Sequence, residues 1–198
     1  MILKDKLKTH HIILASASPR RQAFFKDLGL AFEIRLKPIE ETFPEHLEHH
    51  EISDYLAELK AAPFENELEE KDILVTSDTI VWHEGKALGK PLDEQDAYNM
   101  IRSLSGQTHD VITSVCLKSK YKKTIVNCTT KVTFKDLTDE EIWFYITNYK
   151  PMDKAGAYGI QEWIGYIGVT HIEGSFFNVV GMPVHLVYEA LINFLKTP

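Results

Sequence analysis

Cysteine is scarce in this 198-residue chain: Cys116 and Cys128 are its only two, and they are not spaced as CxxC. That excludes a disulfide-stapled secreted scaffold and a cysteine zinc motif, and it fits a reduced, cytoplasmic setting. The pair lies symmetrically about the polar stretch KSKYKKT. A hairpin in simple register there would set the two opposite each other as reduced strand residues. No apolar run reaches the ~18 residues that a membrane span needs. The N-terminal MILKDKLKTHH has charge where a secretory signal would have an apolar stretch, and residues 1–10 read as a frayed extension. Positive charge is also limited, with 22 Lys and Arg against 29 Asp and Glu and a net charge of −7. A general nucleic-acid binder would carry a basic stripe, so neither nucleic acid nor membrane is an expected partner. Internal repeats, low-complexity tracts and the GxxxxGK[ST] phosphate loop are absent as well.

What is present is a core. With 44% hydrophobic and 11% aromatic residues, positions 1–198 read as one globular domain with room for two lobes. The buried-strand run of Ile12, Ile13 and Leu14 leads through a small-residue loop into a helix. Ser18 caps that helix, Pro19 occupies its first turn and Gly29 ends it. LAFEIRLKP suggests a second strand, and Ser53 can cap a helix that closes near Pro63. ILVTSDTIVW is β-rich and HEGKA supplies its turn. Asp93 opens a helix stopped by Gly106, and HDVITSVCLKS pairs naturally with TIVNCTTKVTFK. Thr138 and Glu141 form a capping-box pattern ahead of EEIWFYITN. Two further strands are expected around GYIGVTHIEG and FNVVG, and an amphipathic helix ends the chain. Interleaved strands and helices with an inserted hairpin give an α/β fold built on a mixed sheet.

Several residues sit uneasily in that scheme. Arg20 and Arg21 follow the Ser18 cap directly, where a helix dipole prefers acids; each opposes it by ~0.3–1 kcal/mol. A helix N-terminus with two forked guanidiniums is an anion site suited to polyphosphate. Asp78 stands in an apolar strand, where a carboxylate must be paired, hydrogen-bonded or metal-bound unless the strand is an edge and the group faces water. A buried Asp78 would hold a divalent ion or accept a proton from water. Lys90 is wedged between Gly89 and Pro91 as an anion contact, whereas Lys86 reads as a solvated charge. Gln161 carries a donor and an acceptor in one plane, as reading a base edge requires, though a lone Gln is more often a surface residue. His46, His49 and His50 lie in an acidic, exposed stretch and read as solvated; Trp143, Phe144 and Tyr145 read as core or interface. Together these features indicate phosphate-ester chemistry with a metal.

Six motifs occur in order: LASASPRR, SDTIV, GKP, LSGQTHDVITSV, DKAGAYGIQ and GSFFNVVGMPV. On them the chain resembles the Maf family of nucleoside triphosphate pyrophosphatases over roughly residues 11–195. The resemblance implies a mixed twisted sheet flanked by helices, in two lobes with a central cleft, as in the ITP pyrophosphatases. It implies hydrolysis of a nucleotide to its monophosphate and pyrophosphate with Mg²⁺ or Mn²⁺, and homodimers occur in the family. Arg20 after the motif proline and the intact AYGIQ are similar to the dTTP/UTP subgroup rather than the 7-methyl-GTP one. By the same match Asp78 is the proton acceptor, and Arg20, Thr79 and Gln161 are tied to substrate choice. Ser16, Arg21, Glu41, Lys60 and Lys90 line the phosphate and metal site, with Glu41 and Asp78 as the metal carboxylates. Ser77 stands where many members have Ala. The family name also carries an association with septum formation and cell division, which would make the chain a nucleotide-binding regulator.

Overall fold

The computed structural model describes residues 2–196. Its elements run α1 (Leu3–Lys6), β1 (His11–Leu14), α2 (Pro19–Asp27), β2 (Glu33–Ile34), α3 (His50–Ala61), β3 (Asp72–His83) and β4 (Lys86–Leu88). There follow α4 (Glu94–Leu104), β5 (Thr108–Lys118), β6 (Lys123–Phe134), α5 (Asp139–Tyr149), α6 (Trp163–Gly168), β7 (Val169–Glu173), α7 (Phe176–Val180) and α8 (Val184–Phe194). Seven strands make one mixed sheet of order β2-β1-β3-β5-β6-β7, with β4 paired to β3. β1 runs parallel to β2 and β3, while the β3–β4 and β6–β7 pairs are antiparallel.

The chain divides into two compact units. The first comprises Met1–Asp78, Thr113–Cys128 and Gly181–Pro198. Here the parallel register Ile12↔Ile73, Ile13↔Leu74 puts the even positions of β1 and the odd positions of β3 on one face. Ile12, Leu14, Ile73 and Val75 pack with residues of α1, α2 and α8, whereas Ile13 and Leu74 pack with Ala57 and Ala61 of α3. Both faces of these strands are covered, which is why they read as unbroken apolar runs rather than alternating ones. The second unit comprises Thr79–Ile112 and Thr129–Val180. Its core joins the apolar faces of α4, α5 and α6 to Val111, Val132 and Phe134 of the sheet.

Capping works as the sequence indicates for α2, α4 and α5: Ser18, Asp93 and Thr138 each accept from the expected backbone N–H, and Thr138 with Glu141 completes the capping box. Five elements differ from expectation. The N-terminal extension is not frayed at residues 3–7, because Leu3 and Leu7 are buried in the core and the Leu3 N–H donates to the Tyr188 hydroxyl of α8. LAFEIRLKP forms only the two-residue β2, at the sheet's edge, with both residues exposed. Ser53 lies inside α3 rather than capping it; its Oγ bonds back to the His50 carbonyl at 3.2 Å and meets Ser114 Oγ at 2.7 Å. FNVVG is helical (α7), and its buried Asn178 Nδ2 donates to the Val111 carbonyl at 2.9 Å and to Thr130 Oγ1 at 3.0 Å. A short apolar run cannot by its period distinguish that helix from a strand. GYIGVTHIEG is likewise helix in its first half and strand only from Val169. Neither cysteine forms a disulfide.

Candidate active site

In the first unit, the loop after β1 turns sharply into α2. The Ser18 N–H donates to Ser16 Oγ at 3.3 Å, and Gln22 Nε2 donates to the Ser16 carbonyl at 3.1 Å. Ser16 is thereby buried at the helix mouth, 7% exposed. The two arginines of the first turn differ in role. Arg21 folds back: its Nε donates to the Gly181 carbonyl at 2.9 Å and its Nη1 to the Ser77 carbonyl at 2.8 Å. The side chain that seemed to oppose the helix dipole is thus a clamp joining α2, β3 and the loop before α8. Burial lowers the Arg21 guanidinium from its ordinary value and the neighbouring Asp78 carboxylate raises it, with Arg20 and Glu41 as smaller opposed influences. It stays charged at any physiological pH.

Asp78 lies on β3, a central strand between β1 and β5, and is 7% exposed. An edge-strand carboxylate facing water is therefore excluded, and a partner is required. That partner is Lys60, in the last turn of α3, where a helix C-terminus favours a cation. Lys60 Nζ donates to Asp78 Oδ1 at 2.6 Å and lies 3.2 Å from Oε1 of Glu41, which comes from the loop between β2 and α3. Two carboxylates from distant points in the sequence converge on one positive charge. Such an all-oxygen pair fits Mg²⁺ or Mn²⁺, which commonly take one or two protein carboxylates and complete their shell with water and substrate phosphates. No cluster of three or more His, Cys, Asp or Glu suited to a metal exists among the described residues, and His46, His49 and His50 are exposed.

The structure therefore links Arg20, Arg21, Glu41, Lys60 and Asp78 through ion pairs and charge interactions, with Ser16 at the start of the helix that carries the arginines, all in the first unit. Thr79, Lys90 and Gln161 belong to the second. Thr79 is the next residue along β3 and is half-buried. Lys90 is exposed, and the Gly89 carbonyl before it accepts from the Gly156 N–H at 3.0 Å, tying the GKP turn to the small-residue loop. Gln161 sits in the turn ahead of α6, its carbonyl accepting from the Tyr166 hydroxyl at 2.7 Å. Sequence reasoning missed what supports that turn. Tyr145, fully buried, receives the Gly159 N–H at 3.0 Å and donates to Glu162, which is also ion-paired with buried Lys154 at 3.1 Å. The available signal was two charges, Lys154 and Glu162, flanking an otherwise small and apolar loop.

A family model described as Maf-like protein matches residues 11–194. The dTTP/UTP pyrophosphatase of Flavobacterium johnsoniae is 63% identical over 190 residues, covering 96% of this chain and 98% of that protein. That of Christiangramia forsetii is 55% identical over 196 residues, covering 99% and 100%. Among solved structures, the Ham1 protein of Staphylococcus aureus aligns with a TM-score of 0.50 at 14% identity, covering 93% of this chain and 99% of that one, a likeness of fold.

Proposed function

This chain belongs to the Maf family, and on that footing we propose that it hydrolyses dTTP and UTP to the monophosphate and pyrophosphate. The observation that carries the reading is the convergence of Asp78 and Glu41 on one cation beside Arg21, at the mouth of a helix whose N–H groups suit phosphate. Water attacks the α-phosphorus in line, and Asp78 accepts its proton. Lys60, Arg21 and Lys90 offset charge on the departing pyrophosphate, and Ser16 orients a phosphate oxygen. A Mg²⁺ or Mn²⁺ ion held by Asp78 and Glu41 would polarise the phosphate and lower the pKa of bound water. Arg20, Thr79 and Gln161 select the pyrimidine, whose N3–H and carbonyls match a carboxamide and a guanidinium. Uracil and thymine differ by one methyl, so discrimination between them stays within ~1–3 kcal/mol. That neither cysteine forms a disulfide accords with work in the reducing cytoplasm.

The direct experiment is pyrophosphate release from a panel of nucleoside triphosphates with Mg²⁺ or Mn²⁺, comparing the protein with its Asp78→Asn variant. Release from dTTP and UTP that falls at least ~10³-fold in the variant is expected for loss of the base and of one metal carboxylate. Tight nucleotide binding with no release from any triphosphate would transfer the assignment to a binding regulator, and preferred release from 7-methyl-GTP would change the substrate.

A further inference from the structure

The turn that carries Gln161 is held by a buried polar network that phosphate chemistry does not call for. Its first member, the Tyr145 hydroxyl, accepts from the Gly159 N–H at 3.0 Å and donates to one Glu162 carboxylate oxygen. The other carboxylate oxygen pairs with Lys154 Nζ at 3.1 Å, and Lys154 also reaches Asp153 at 2.7 Å. The turn closes on itself through the Glu162 N–H and the Gly159 carbonyl at 3.0 Å, and Tyr166 fixes the Gln161 carbonyl at 2.7 Å. Close packing leaves no play. A Cβ on Gly165 would lie 1.8 Å from the Ile160 carbonyl oxygen, and one on Gly159 would lie 3.0 Å from Gln161 Nε2. Backbone is thus pinned on both sides of Gln161, from Gly159 to Gly165.

Burying a lysine and a phenol against a half-buried carboxylate is costly unless every member is satisfied, and a satisfied network specifies one local conformation. Tyr145 and Lys154 are 0% and 8% exposed. We infer that Tyr145, Glu162 and Lys154 are positioning residues for pyrimidine selection: they preset the 159–162 turn so that the Gln161 carboxamide meets the base at a lower ordering cost. The inference rests on the reading of Gln161 as a base contact. None of the three need touch the nucleotide; they act through the turn. A carboxamide held this way loses less freedom on binding, and one freed from its turn can rotate to suit a wrong base edge.

The test is the ratio of kcat/KM for UTP to that for CTP, measured well below the melting temperature, for Tyr145→Phe, Glu162→Gln, Gln161→Ala and the Tyr145→Phe/Gln161→Ala double variant. Tyr145→Phe keeps the ring and removes only the hydroxyl, and is expected to lower the ratio by about fivefold or more, through KM rather than kcat. Glu162→Gln preserves an acceptor for Tyr145 but removes one of the two carboxylates paired with buried Lys154, and is expected to lower the ratio too, by less than Tyr145→Phe does. A ratio unchanged in both variants would count against the positioning role. The double variant should fall no further than Gln161→Ala alone, because both changes act through one group. A lower melting temperature with an unchanged ratio in Tyr145→Phe, while Gln161→Ala does change it, would overturn the positioning role and leave the base contact standing. An unchanged ratio in Gln161→Ala would remove the base contact, and the inference with it.

Discussion

Lys60 Nζ lies 2.6 Å from Asp78 Oδ1 and 3.2 Å from Glu41 Oε1, so one ammonium occupies the point where two carboxylates converge. The side chains of Lys60 and Asp78 are 17% and 9% exposed, which makes this a mostly desolvated pair rather than a surface contact. The ammonium serves as counter-ion to the two carboxylates that, on the proposed reading, would hold a divalent ion.

The first prediction concerns that competition. Lys60→Met removes the ammonium but keeps the length of its stem, leaving two carboxylates that repel each other and attract any cation. Mn²⁺ affinity without nucleotide should rise, by about tenfold, while pyrophosphate release falls by about a hundredfold or more for want of a charge on the leaving group. Calorimetric titration of Mn²⁺ reads the first effect independently of the second. Weaker Mn²⁺ binding in the variant would show that Lys60 organises the carboxylates instead of competing for them.

Arg21 poses a different question, because two of its donors already serve the protein's own backbone. Replacing it by lysine keeps the charge but cannot reproduce two divergent bonds to the Ser77 and Gly181 carbonyls. Leaving one of those buried carbonyls unpaired costs about 1–3 kcal/mol. In a chain of this size that corresponds to a melting-temperature loss of roughly 2–4 °C per kcal/mol. Arg21→Lys should therefore melt several degrees lower and bind triphosphate more weakly, whereas a pure substrate contact would lose affinity at an unchanged melting temperature. Differential scanning calorimetry beside a nucleotide titration separates the two.

How much of this was legible in the sequence follows from how local each signal is. Ser18, Asp93 and Thr138 announce their helices because a cap is a contact across three residues, and all three caps form. Asp78 was conspicuous because a charge in an apolar run needs a partner, but its partner could not be read by spacing. Lys60 reaches it from a helix and Glu41 from a loop, through tertiary packing alone. The same limit hid the Tyr145 network, since a tyrosine among Trp143 and Phe144 looks apolar until Glu162 is folded against it. Arg21 stands out in the sequence by its charge, but its role as a clamp lies in its acceptors, the distant Ser77 and Gly181 carbonyls. α7 was misread because Phe176–Val180 has no period long enough to tell helix from strand, and its Asn178 bonds to residues far away in sequence.

The last prediction is a pH dependence of stability set by His109, remote from the phosphate chemistry. This histidine is 3% exposed; its Nε2 meets the Tyr158 hydroxyl at 2.7 Å and its Nδ1 has no partner among the described residues. Phe134 and Tyr158 pack edge-on against the ring. Burial, with a lesser contribution from like charge on His83, pushes its pKa down from 6.5 to about 3. Below 6.5 the unfolded chain binds a proton that the native His109 refuses, so acid favours unfolding. The contribution is complete above pH 6.5 and is lost progressively as pH falls towards 3. His109→Gln, whose amide can still meet Tyr158, removes the titrating group. Melting temperatures at pH 7.5 and pH 5 should then differ less in the variant than in the parent by about 1–2 kcal/mol, or several degrees. Equal acid losses in the two proteins would show that the sensitivity does not come from His109.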